Sequence, residues 1–347
     1  MNRSGFGSIC VILLLVVAGA IGLVAPPSTA RAMKQKASPI WERVAAEEPL
    51  FKARDEAKGL VLGGGMWLRG GTPGGTDLVY DLWHSANGKN WKYFGKSEDF
   101  HSYSSLVSVD AKSLLAIGAG SVYRFQEPNW VKLADNQPFH LPQAAVVLNK
   151  TIICLDIDPV RVQDGKQKAR LWASEDGGKT WKRINENAPF GPRRPTAMVV
   201  FKGKIWVIGG VEDEDRPPRA TEWYPWKMHN DVWYSADGGL SWKKSNVEQR
   251  WQPRNWAGFA CDEERIWIVG GFDNFLQDRV SDLNDVWFTT DGEIWVSQGR
   301  GTFTPRHAPT CYIHGGYLWV VAGKEKTSPT TGSHTNEVWR LPLSSKK

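Results

Sequence analysis

Cysteine is scarce in this chain, four residues in 347, and only Cys154, Cys261 and Cys311 lie beyond the N-terminal apolar run. An odd, widely spaced set of that kind cannot be a disulfide framework, and Cys261 and Cys311 sit in apolar, strand-like surroundings as small core residues. Blocks of one charge are also missing. The 43 basic and 37 acidic residues are interspersed, so the net charge of +6 is spread thin. Nucleic-acid binding needs a concentrated basic face or segment, and none is present. No stretch of twelve residues holds a 3.6-residue apolar period, so helices are not expected. The segment from Glu42 to Lys58 comes nearest, and Pro49 interrupts it. Beyond the N-terminus no apolar run reaches the length of a bilayer span.

The N-terminus itself reads as a secretory signal. Asn2 and Arg3 precede an apolar run from Ile9 to Val24, followed by the small-residue exit Ala25-Pro-Pro-Ser-Thr-Ala-Arg-Ala32. Cleavage after Ala30 or Ala32 satisfies the pattern, and an uncleaved anchor over residues 1–32 is the alternative. Cys10 stands at the head of the run, where a lipoprotein cysteine would follow it. Without these residues the charge is about +4. The expected location is extracytoplasmic, secreted or periplasmic, with membrane attachment only through this segment.

What the chain has in abundance is tryptophan, 19 residues, roughly fourfold the average share. Their places follow an internal repeat. PRRPTAMVVFKGKIWVIGG (192–210), PRNWAGFACDEERIWIVGG (253–271) and PRHAPTCYIHGGYLWVVAG (305–323) align without gaps. Each continues, after a variable loop, into NDVWYS (230–235), NDVWFT (284–289) or NEVWRL (336–341). The turns SADGGLSW (235–242) and TTDGEIW (289–295) then lead to a further tryptophan. Weaker copies begin near Ala53, Ser102 and His140, giving six units of four short strands each.

Six such units predict an all-β fold, a six-bladed β-propeller of four-stranded antiparallel blades over residues 38–343. The sixth unit lacks a fourth strand, and SPIWERV (38–44) carries a fourth-strand tryptophan with no strands before it. Trp41 is therefore expected in the outer strand of the last blade, closing the ring and removing its exposed edges. Fifteen of the tryptophans fall at second-, third- or fourth-strand repeat positions, and Trp251 holds the aromatic place before Arg254. These are expected to pack between blades, each worth on the order of 4–6 kcal/mol of burial as an upper bound.

The VIGG-type second strand, the NDVW third strand and the Pro-Arg entry together resemble Kelch repeats of the galactose-oxidase superfamily. SEDGGKTW (174–181) and SADGGLSW (235–242) also resemble the Asp-box (BNR) hairpins of sialidase-like propellers, with partial matches at 85–91 and 289–295. Both resemblances speak to architecture, because function lives in sites grafted onto such folds. The Asp-box Ser and Asp are expected to bond their own turn backbone.

Strand alternation puts these hairpins at one end of the propeller. The long second-to-third connections, 69–79, 157–169, 211–229, 272–283 and 324–335, open at the other. The residues entering each innermost strand there read Arg54, Ser102, His140, Arg193, Arg254, Arg306. Arginines around a funnel suit carboxylates or acidic peptides, and the resemblance extends that use to these positions. The alternative is that each braces its loop against the aromatic three residues before it, Phe51, Phe190, Trp251 or Phe303. Three tryptophans fall outside the repeat: Trp223 and Trp226 in the acidic loop 211–229, and Trp256 beside Arg254. They form either a stacking platform or loop packing. His101, His140, His229, His307 and His334 fall at the same end, without metal-ligand spacing, and neither a metal nor another cofactor is expected.

The expected function is an exported module binding a carbohydrate or acidic ligand, a glycan or acidic peptide, in this funnel. The candidate contacts are Arg54, His140, Arg193, Arg254, Arg306, Trp223, Trp226, Trp256 and His307. One alternative is a sugar-processing enzyme of the sialidase or sialic-acid mutarotase kind, for which Asp55 and Glu222 are the candidate carboxylates. The Arg-Ile-Pro entry of sialidases is absent. The other alternative is a scaffold docking another exported protein.

Overall fold

The computed structural model describes residues 40–74, 78–96, 105–139, 142–157, 167–212, 227–247, 251–273, 282–326 and 332–343. All belong to one compact unit, Ser38–Lys347. The signal or anchor expectation falls on residues outside this set.

Six four-stranded antiparallel sheets form the blades of the propeller, and no α-helix occurs among the described residues. Blades 1 to 5 span 58–96, 105–134, 142–185, 197–244 and 258–300, each with its strands in chain order. Blade 6 combines Thr310–His314, Tyr317–Val321 and Val338–Pro342 with Glu42–Val44 as its outer strand. Arg43 pairs with Trp339 across that junction, and Trp41 beside it is buried against Phe303. The ring closes through its two ends, as the orphan tryptophan required.

The core is distributed over the seams. Each of six apolar clusters joins two neighbouring blades, including the pair formed by blades 6 and 1. Strand tryptophans fill these seams by stacking over neighbouring hairpins. A Cβ at Gly88, in blade 1, would stand 2.2 Å from the Trp319 ring of blade 6. Gly292 of blade 5 meets Trp206 of blade 4 in the same way. Both glycines also hold positive φ, so the turn and the close ring contact together exclude any side chain.

The third-to-fourth-strand hairpins satisfy themselves. Ser174 Oγ accepts from the Gly178 amide at 2.8 Å, while the Asp176 carboxylate accepts from the Thr180 amide and hydroxyl. Ser235 and Asp237 repeat this with Gly239 and Ser241. The one-residue-shorter turns do likewise through Ser85 with Asn87 and Thr289 with Asp291.

At the opposite end the connections are shorter than expected. Strands Lys204–Glu212 and Lys227–Ser235 continue pairing beyond the glycine pair, so residues 211–212 and 227–229 are ladder rather than loop. In blade 6, Lys324–Lys326 and Gly332–His334 form a hairpin of their own.

Candidate functional site

The four strand-entry arginines, three of them in Pro-Arg pairs, are structural. Arg54 is 0% exposed, and its guanidinium forks onto Asp81 at 2.5 and 2.8 Å and donates to the Gly70 carbonyl at 2.9 Å. Arg254 repeats this with Asp285 at 2.6 and 2.9 Å and the Gly270 carbonyl at 2.7 Å. Arg306 reaches the Ala322 carbonyl, Glu337 and Glu325, and Arg193 reaches Asp231 at 2.6 Å. Each arginine thus bonds the Asp or Glu of the third-strand NDVW-type motif, Arg306 bonding Glu325 besides, and that motif acid also accepts the indole N–H of the tryptophan two residues on. Burial alone would push Asp231, Asp285 and Glu337 up; bonds from indole and guanidinium overcome it and hold them down. Arg54 and Arg306 also lie over Phe51 and Phe303, the aromatics expected beneath them.

These contacts correct the expectation of an electropositive mouth. Each guanidinium is neutralised by an acid of its own blade and buried, leaving almost no surface for a ligand, although Arg193 makes one bond where the other three make several. The brace exists, and it is ionic as much as aromatic.

The residues directly after the arginines form the site. Asp55, Arg194, Asn255 and His307, each one position on, make isolated bridges to Thr72, Val211, Phe272 and Lys324. One position further, Glu56, Trp256 and Ala308 share a left-handed backbone, with φ of 56°, 50° and 51°. The strained positions are linked: the Glu56 amide donates to the Ala308 carbonyl, and the Ala308 amide to the Trp256 carbonyl. Blades 5, 6 and 1 are thereby tied together around a pocket of about 390 Å³.

Each blade gives that pocket a wall of different chemistry. Blade 5 supplies aromatic surface from Trp256 and Phe272, whose ring centroids lie 6.2 Å apart. The Asn255 side chain accepts the Trp256 amide at 2.8 Å, and the Arg194 guanidinium sits over the indole. Blade 6 supplies cations. Lys324 and Lys326 alternate along one short strand and so share a face, with His334 paired opposite Lys324. Lys326 Nζ lies 4.6 Å from the Phe272 ring centre. Blade 1 supplies Asp55, Glu56 and Thr72.

Two histidine–carboxylate contacts hold these walls together. His307 Nδ1 is 2.8 Å from Asp282 Oδ1, and Asp282 Oδ2 accepts the Lys326 amide. His334 Nε2 stands 3.4 Å from Asp55 Oδ1 across the blade 6 to blade 1 seam. Burial, and then the neighbouring Glu56, push the Asp55 carboxyl above its ordinary value. Burial pushes His334 down. Among the described residues the buried Oγ1 of Thr72 has no hydrogen-bond partner, and the Asp55 Oδ1 has only this longer His334 contact.

Of the residues expected in the funnel, Trp256 and His307 line this pocket, as does Asp55, the candidate carboxylate of the enzyme alternative. Arg54, Arg193, Arg254 and Arg306 lie beneath as braces. His140, Trp223, Trp226 and Glu222 fall outside the described residues. His229 lies in a blade 4 strand, bonded to Glu212 at 2.7 Å. Glu56, Thr72, Phe272, Lys324 and Lys326 were not anticipated. Their signal was register: each follows a repeated Arg or Gly at a fixed offset, where residue type varies from blade to blade. Trp256 too occupies a repeat position of the backbone, although no other blade has tryptophan there.

No family model matches the chain. Over 162 residues, 46% of this chain, it is 27% identical to Kelch repeat protein M-T8 of Myxoma virus (strain Lausanne). That match takes in 27% of the viral protein, so it reaches about a quarter of the relative's length. The solved structure of YjhT superposes with a TM-score of 0.60 at 13% identity, covering 83% of this chain and 94% of that one.

Proposed function

We propose that this β-propeller is of the Kelch type and is an exported module binding a carbohydrate or acidic ligand in the pocket between blades 5, 6 and 1. The observation that carries this reading is a concavity combining an aromatic wall with Lys324, Lys326 and Glu56, which make no ion pair among the described residues. Its volume of about 390 Å³ is at the small end of ligand pockets and suits one sugar ring or a short side chain. Lys324 and Lys326 offer a carboxylate two ammonium donors, while Asp55 and Thr72 offer acceptors to hydroxyl groups. Trp256, its ring packed near Phe272 and His307 and under the Arg194 guanidinium, supplies apolar surface at little further ordering cost.

The test is binding of glycan and acidic-peptide panels to the wild type and to Trp256→Ala and Lys326→Ala. Each variant is expected to weaken binding at least tenfold, roughly the value of one good interaction. Unchanged affinity in both would move the ligand elsewhere. Export is tested separately by sequencing the mature N-terminus, expected to begin after Ala30 or Ala32.

Asp55 favours a second reading, in which the pocket processes a sugar. A buried carboxyl with its pKa raised, beside His334, is equipped to exchange a proton with a bound hydroxyl. Turnover of a fluorogenic sialoside, or accelerated anomer exchange seen by NMR and lost in Asp55→Asn, would support it.

A further inference from the structure

The pocket keeps its two lysines out of ion-pair distance of its carboxylates, although Asp55 meets His334 at 3.4 Å. Lys324 and Lys326 on the blade 6 wall have no acid within ion-pair distance among the described residues, although Asp55 and Glu56 line the same cavity. Glu56 likewise has no cation within that distance; its charge is felt by Asp55 beside it and by Lys58, on the first strand of blade 1. Elsewhere the molecule behaves differently. Buried charges at the same end are forked or multiply bonded, as Arg54 is to Asp81 and Arg306 is to Glu325 and Glu337.

The separation is built in. Glu56 is fixed by its left-handed backbone and its bond to Ala308, and Asp55 by its bridge to Thr72. The lysines are fixed on the far wall by the Lys324–His334 pairing and by the bond from the Lys326 amide to Asp282. Asp55 is 9% exposed and lines this cavity, with its Oδ1 3.4 Å from His334 Nε2.

Resting on the pocket reading above, we infer that the ligand is a zwitterion, a compact sugar carrying both a carboxylate and a free amine. The carboxylate lies against Lys324 and Lys326, the ammonium lies between Asp55 and Glu56, and the ring lies along Trp256. A ligand with only one of these charges leaves one wall facing apolar carbon, which both desolvates the wall and wastes its field.

Three probes of one scaffold separate the charges: muramic acid, with both groups, N-acetylmuramic acid, with the amine blocked, and glucosamine, with no carboxylate. Calorimetric titration at pH 7 is expected to rank muramic acid roughly tenfold or more above each of the others. Glu56→Gln is expected to erase the preference over N-acetylmuramic acid while keeping that over glucosamine. Lys326→Gln is expected to do the reverse. Equal affinity for muramic and N-acetylmuramic acid in the wild type overturns the zwitterion and leaves an acidic-sugar site standing. Failure of all three probes, with glycan or acidic-peptide binding intact, also overturns the zwitterion alone. Loss of that wider binding as well removes the pocket reading itself. The wild-type comparison needs no variant to fold.

Discussion

At one end of the propeller the hairpins between third and fourth strands repeat both their residues and their bonds. Ser174 with Asp176 and Ser235 with Asp237 satisfy their own turn amides. At the other end, only the frame repeats. Arg54, Arg254 and Arg306 make the same carbonyl and carboxylate contacts, yet the residues one and two positions later change from blade to blade. Repetition marks positions where every blade faces the same packing problem. Variation within a fixed frame marks positions released from it, and in this molecule those positions surround the pocket. The contrast predicts that neighbouring residues differ sharply in what they support.

The largest effect separates Arg54 from Glu56, two positions apart. Arg54→Ala strands the Asp81 carboxylate in a mostly buried place and removes a donor from the Gly70 carbonyl. The expected loss is about 3–5 kcal/mol, read by chemical denaturation. Glu56→Ala removes a side chain with no ion pair and is expected to stay within about 0.5 kcal/mol. Equal losses would erase the distinction between frame and site.

A smaller effect belongs to the hairpin end. Hydrogen bonds from Thr180 and its neighbours outweigh the opposing burial and lower Asp176 to about 2, and Ser241 does the same for Asp237. A folded-state value below the ordinary 3.8 means stability that is complete above that pH and is lost as the pH falls through about 2. Asp176→Asn is expected to flatten that acid limb while leaving stability near neutrality about 1 kcal/mol lower. Binding at the distant pocket should not change. An unaltered acid limb would show that these turns are not titrating as a folded unit.

The repeat was legible because packing imposes it. A wedge-shaped blade needs a large ring at each seam, so the tryptophans announced six units, and the missing fourth-strand ring located Trp41 as the closing strand. The NDVW aspartate was legible as a motif without its reason, since its partner arginine lies 27 to 38 residues away in the chain. That distance also explains the misplaced mouth. A cation at a funnel looks available until the carboxylate that consumes it is placed beside it. The pocket was half legible: Trp256, His307 and Asp55 stood out by type, while Lys324, Lys326 and Glu56 are ordinary surface residues until three blades converge on them.

The smallest expected effect tests the frame directly. Glu56, Trp256 and Ala308 hold φ near 50–56°, a conformation that costs a side-chain-bearing residue about 1–2 kcal/mol. Ala308→Gly removes that cost, but glycine also loosens the unfolded chain by about 0.4–1 kcal/mol. The net change is expected between zero and about 1 kcal/mol of stabilisation, a rise of a few degrees at most in thermal melting. Ala308→Val, with a branched side chain at the same φ, should instead destabilise by more than the glycine gains. Were glycine clearly destabilising, the left-handed turn would carry no strain, and the rigid presentation of Trp256 would have to come from the Asn255 and Arg194 contacts alone.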